Sequence, residues 1–125
     1  EDMKPAVAPA EVVQLQDTAC MVRVEESLLE YAERVVAETR RSPLLQLGVS
    51  PRGFQSWFRA AQARALSENR EYCVPDDFRE LALPALAHRL VLPGSSQGGY
   101  SDALSNGRAE AERILTGIIE RVPVP

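Results

Sequence analysis

Prolines divide this chain into short helices. Pro9, Pro51 and Pro75 each stand at the head of a stretch that reads as helix, where the fixed proline φ suits the first turn and the missing N–H is not needed. Pro43 and Pro84 act in the opposite sense: Pro43 stops a helix, and Pro84 is expected to break or kink one into two short pieces. The result is an all-α reading, a small bundle of four or five helices.

The apolar spacing supports it. "PAEVVQLQDTACM" gives a first helix over about 9–19. A second runs over about 25–41, with Leu28, Ala32, Val35, Val36 and Thr39 on one face, glutamates in its first turn and Arg40 and Arg41 in its last, as the helix dipole prefers. Residues 43–49 form a connector in which Gly48 permits an unusual backbone angle. Ser50 caps a third helix that continues to about Glu68, with Phe54, Trp57, Phe58, Ala61 and Ala65 as its stripe and the only tryptophan at the centre of the core. Asn69 can take the left-handed conformation that ends it. Pro75 opens a fourth, with Phe78, Leu81, Ala82, Ala85 and Leu86 inward and Asp76 and Asp77 in the first turn. Residues 93–107 read as a Gly/Ser-rich loop, and a last helix over about 107–121 presents Ala111, Ile114, Leu115, Ile118 and Ile119. "MVRV" at 21–24 and "EYCV" at 71–74 could pair as a minimal two-stranded ribbon. Residues 1–8 read as a linker remnant and 9–125 as one domain.

Charge and residue counts narrow the functions. A net charge of −4 disfavours DNA binding. One histidine and two distant cysteines, Cys20 and Cys73, make a metal site improbable, and two half-buried free thiols are expected rather than a disulfide. No apolar run is long enough to span a bilayer, and the expected location is cytoplasmic. There is no GxxxxGK[ST] loop, no GxGxxG, and no nucleophile–histidine set that one histidine could complete. His88 reads as a packing or capping residue, and the arginines of "RAAQARALSENR" as a solvated face.

"LGVSPRGF" at 47–54 is the segment that resists a purely structural reading. Ser then Pro is a good helix start, and an arginine beside it can simply be solvated. Yet Arg52 puts a positive charge at the positive end of the dipole, and Gly53 weakens the same turn. Both make sense if an anion docks there, since helix amino-termini favour phosphate and arginine adds a charged fork.

From about residue 12 to residue 92, the ordered combination "TRR…LGVSPR…NREYCVPDDFRELALPALAHRL" resembles the C-terminal helical lid of the MoxR family of AAA+ ATPases, and "AERILTGIIERVPVP" resembles the usual ending of that lid. The resemblance implies that Arg52 is a sensor-2 arginine reaching the γ-phosphate of ATP, with Ser50 and Pro51 fixing the helix that aims it. It places Thr39, Arg40, Leu47 and Gly48 along the border of the nucleotide pocket and gives "HRL" at 88–90 a structural role. It implies that ATP and Mg²⁺ are bound mainly by an AAA+ core outside this chain, so that the chain alone is inactive. Other implied partners are a hexameric ring of copies, a von Willebrand A-domain protein and client proteins matured in a chaperone-like way. Val74 stands where the family commonly has a capping Thr, Asn69 where it has Gly, and Gly53 where it has Ala. The alternative expectation is a free-standing helical interaction module, with the segment around "NREYCVPDDF" read as helix-turn-helix.

Overall fold

The computed structural model describes residues 3–94 and 100–125. These residues form five α-helices, α1 (Pro9–Ala19), α2 (Glu26–Arg41), α3 (Pro51–Ser67), α4 (Pro75–Leu86) and α5 (Tyr100–Arg121), with a 3₁₀ turn at Ala87–Arg89. The three prolines sit at the first helical positions the sequence assigns them.

The contact between α3 and α4 makes the central packing. Trp57 is fully buried, its indole N–H donates to the Phe78 carbonyl at 2.8 Å, and the two rings meet edge to face with centroids 5.3 Å apart. α2 contributes Leu28, Tyr31, Ala32, Val35 and Val36, and α5 contributes Ala111, Ile114, Leu115, Ile118 and Ile119, all buried as their spacing requires. α1 differs. It lies on α3, buries no residue, and leaves Val12, Val13 and Leu15 exposed.

α3 ends as Asn69 allows. Asn69 has φ 57°, its N–H donates to the Leu66 carbonyl at 2.9 Å, and the Arg70 N–H reaches back to the Ala65 carbonyl at 2.9 Å. That pair of bonds is a Schellman closure with asparagine in place of glycine.

The expected ribbon is a single parallel bridge: the Arg23 N–H donates to Glu71 and the Cys73 N–H to Arg23, each at 2.9 Å. A second bridge, antiparallel between Leu47 and Val91, has no signal in the sequence and ties the connector before α3 to the segment after the 3₁₀ turn.

Four expectations are corrected. Pro84 does not divide α4, which runs through it to Leu86. Pro84 and Glu80 are both exposed, so the carbonyl that loses its partner can turn to water, and the helix tightens into the 3₁₀ turn just beyond. The loop expected over 93–107 is helical from Tyr100; residues 95–99 lie outside the described residues. Gly107, which suggests a loop, is half-buried within α5 against Leu92, and tertiary contact offsets its low propensity. The cysteines are both free, but unequal: Cys20 is exposed, and Cys73 is buried. Burial pushes the Cys73 thiol up to about 11, with Asp77 adding to the shift. His88, read as a packing or capping residue, is exposed on the 3₁₀ turn and makes no hydrogen bond among the described residues.

Candidate functional site

The amino end of α3 is built from three directions. Ser50 is the N-cap, and its Oγ accepts the Gly53 N–H at 3.1 Å. Pro51 takes the first helical position. Behind them Val49 is buried, and both of its backbone polar groups are taken by the last turns of α2. The Val49 N–H donates to Thr39 Oγ1 at 3.0 Å, and Arg40 Nε donates to the Val49 carbonyl at 2.8 Å. Thr39 Oγ1 in turn donates to the Val36 carbonyl at 2.6 Å.

Gly48 is required here by contact, not by angle. A Cβ at this position would lie 2.6 Å from Arg40 N and 2.7 Å from the Thr39 carbonyl oxygen, so the connector rests directly on the α2 backbone.

From the third side comes Arg89, in the "HRL" stretch. Its Nε donates to the Ala85 carbonyl at 3.2 Å and its Nη2 to Ser56 Oγ at 3.3 Å. Its Cδ would lie 3.2 Å from a Cβ on Gly53, and Val49 Cγ1 3.1 Å. Gly53 is thus explained by packing, which corrects the expectation that an anion is needed to account for it.

Arg52 has no such explanation. It is exposed and makes no hydrogen bond or ion pair among the described residues. The first turn of α3 carries no acidic residue, whereas those of α1, α2 and α4 carry Glu11, Glu26, and Asp76 with Asp77. The helix dipole and the Arg52 guanidinium both add positive potential at one exposed place. Ser50, Pro51 and Arg52 are brought together there, with Gly48 just beneath. Leu47, on the same connector, is exposed.

Two arginines at the far end, Arg64 in α3 and Arg70 just after it, are a different matter. Arg64 and Arg70 converge on Asp77, which is fully buried. Arg64 Nη1 donates to Asp77 Oδ1 at 2.6 Å; Arg70 Nη2 and Nη1 donate to Oδ1 and Oδ2 at 2.7 Å each; the Val74 N–H donates to Oδ2 at 2.7 Å. Burial alone would raise the Asp77 pKa, but Arg70, the Val74 N–H and Arg64 together hold it below the ordinary carboxylate range. The expected solvated face is therefore, at Arg64, half of a buried ion network. One signal for it was present: an Asp three residues after a cap position accepts the cap N–H, the half of a capping box that Val74, without a hydroxyl, leaves possible.

With this geometry in hand, similarity to known proteins can be set beside it. The family described as the AAA lid domain matches residues 37–112, which contain α3, α4, the Arg52 site and the Asp77 network. The chain belongs to the AAA lid domain family. Three of the proteins it is similar to carry the MoxR name. It is 38% identical over its whole length to YeaC of Bacillus subtilis, itself uncharacterised, covering 37% of that protein. It is 29% identical over 98% of its length to the chaperone MoxR1 of Mycobacterium tuberculosis, covering 33% of it. Over 66% of the lid, identity to the MoxR protein of Methylorubrum extorquens is 45%, covering 22% of that protein. The fold matches the crystal structure of a candidate ATPase from Cytophaga hutchinsonii with a TM-score of 0.73 and 25% identity, over 93% of the lid and 36% of that chain. The lid thus spans about a third of the length of its full-length matches.

Proposed function

We propose that this lid works on the nucleotide of a MoxR-type AAA+ ATPase, with Arg52 as its sensor-2 arginine contacting the terminal phosphate of ATP. The observation that carries the reading is Arg52, without a partner among the described residues, on a capped helix start that has no carboxylate in its first turn. An arginine placed there adds to the dipole's unfavourable charge instead of relieving it, at a cost of a few tenths of a kcal/mol, roughly, in the isolated helix. A phosphate ligand reverses the sign of that term.

The residues present fit a nucleotide phosphate and not its metal. Arg52 supplies a bidentate donor, and Ser50 and Pro51 fix the turn that carries it. No group of three or more His, Cys, Asp or Glu among the described residues is arranged to hold a cation, so Mg²⁺ and the body of the nucleotide would belong to an AAA+ core. ATP binding and hydrolysis on that core would then open and close the lid through Arg52. Assembly as a ring of copies, hexameric in the family, partnership with a von Willebrand A-domain protein and chaperone-like maturation of clients complete the proposal. It is supported by the chaperone name of the Mycobacterium relative. Among the described residues no helix is long and apolar enough to cross a membrane, and the unpaired cysteines suit a cytoplasmic setting.

The test is ATP turnover by the intact ATPase carrying Arg52→Ala or Arg52→Lys, with nucleotide affinity measured alongside. Loss of one charge-stabilising donor lowers turnover about a hundredfold for Ala, and Lys, a point charge without the fork, restores only part of it. Wild-type turnover in both variants would end the sensor assignment.

A further inference from the structure

We propose that Thr39 and Arg40 are positioning residues for Arg52: consecutive side chains in the last turns of α2 that set the place of α3's first turn by gripping the backbone N–H and carbonyl of Val49. Arg52 as the phosphate reader, proposed above, is the premise.

The grip is specific in its chemistry. Thr39 is fully buried in the apolar face of α2, where valine would fill the same volume without a polar group. Its hydroxyl is used twice, donating to Val36 and accepting from the Val49 N–H. Replacing it with an apolar side chain leaves a buried backbone N–H without a partner. Arg40 suits the carboxyl end of α2 electrostatically, but its Nε is committed nine residues onward, on the Val49 carbonyl. Gly48 brings the two backbones together so closely that the connector cannot slide without clashing with Thr39 and Arg40.

What the grip holds is the approach to Arg52. Val49 is buried, and its Cγ1 faces the bare Cα of Gly53, one turn into α3. Ser50 follows Val49 directly and closes the first turn through Gly53. Arg52 therefore stands three residues beyond a residue held at its N–H, its carbonyl and its side chain. A sensor that must meet a phosphate oxygen within a fraction of an ångström gains from such a base, because small misplacements cost rate far more than they cost stability.

The experiment uses the intact ATPase with Thr39→Val, Thr39→Ser and Arg40→Met, each alone and combined with Arg52→Ala, reading kcat, KM for ATP and melting temperature. Thr39→Val and Arg40→Met are expected to lower kcat about tenfold or more with a smaller change in KM, and Thr39→Ser to restore it. In the Arg52→Ala background the same changes should have no further effect on kcat, since nothing is left to position. Asp77→Asn serves as the control: it loosens α3 at the opposite end and is expected to lower the melting temperature while leaving kcat per folded molecule unchanged. If Thr39→Val does not fold, Arg40→Met decides, because Arg40 is exposed. Wild-type kcat in Arg40→Met and Thr39→Val, or equal losses with and without Arg52, would overturn the positioning role while leaving the sensor assignment standing. Wild-type kcat in Arg52→Ala alone would remove the sensor assignment and the positioning role together.

Discussion

The two ends of α3 carry arginines that have opposite relations to the rest of the molecule. At the carboxyl end, Arg64, with Arg70 in the Schellman turn that follows, is tied to the buried Asp77, and every oxygen lone pair of that carboxylate has a donor nearby. At the amino end, Arg52 is exposed, placed against the dipole, and meets no carboxylate among the described residues. The first set completes its interactions inside the fold. The second has a rigid mount and an empty charge. On the proposed reading, a cation whose support is elaborate and whose own head meets no partner among the described residues is held for something outside the domain.

The largest effect on stability is expected where the pairing is complete. Asp77→Ala should destabilise the domain by about 2–3 kcal/mol, as for loss of hydrogen bonds to a charged group, seen as a fall in melting temperature. The same network sets an acid limit. Because the folded Asp77 pKa lies below its unfolded value of about 3.9, the stability it contributes is fully present above that pH and lost as pH falls through the folded value. Melts between pH 6 and pH 2 should show a steeper decline for wild type than for Asp77→Asn. Parallel curves would break the assignment of that carboxylate as the paired group.

Gly48→Ala comes next. With no room for a Cβ against the α2 backbone, the substitution should cost about 1–3 kcal/mol as overpacking, and it should lower turnover of the intact ATPase as well, because the connector that shifts is the one leading to Arg52. A stability loss with full turnover would show that the mount can move without consequence. Ser50→Ala removes the cap bond to Gly53 and should cost about 1 kcal/mol.

How far the sequence foretold this depends on the range of the contacts. Helix starts at Pro9, Pro51 and Pro75, the turn at Asn69, and the inward faces of α2 and α5 follow from residues within one or two turns of each other, and all are found as read. The family resemblance groups Thr39, Arg40, Leu47 and Gly48 as positions bordering a nucleotide pocket, but carries no sign of the bonds that join Thr39 and Arg40 to Val49. The Asp77 network joins three segments, Arg64, Arg70 and Asp77 being charged residues that local spacing assigns to solvent. The bridge between Leu47 and Val91 spans the whole of α3 and α4 and leaves no local trace. Gly53 misled for the same reason: its partner, Arg89, is distant in sequence. Pro84 misled because the rule against interior proline weakens near a solvent-facing helix end.

The sharpest single comparison is Arg52→Ala against Asp77→Ala in the intact ATPase, with melting temperature and ATP turnover measured on the same preparations at a temperature where both are folded. The predicted result is a double dissociation. Arg52→Ala keeps or slightly raises the melting temperature, since relief of the helix dipole is worth only a few tenths of a kcal/mol, roughly, while turnover collapses. Asp77→Ala melts several degrees lower and turns over ATP at the wild-type rate. A lower melting temperature with unchanged turnover for Arg52→Ala would contradict the account, making Arg52 one more structural arginine.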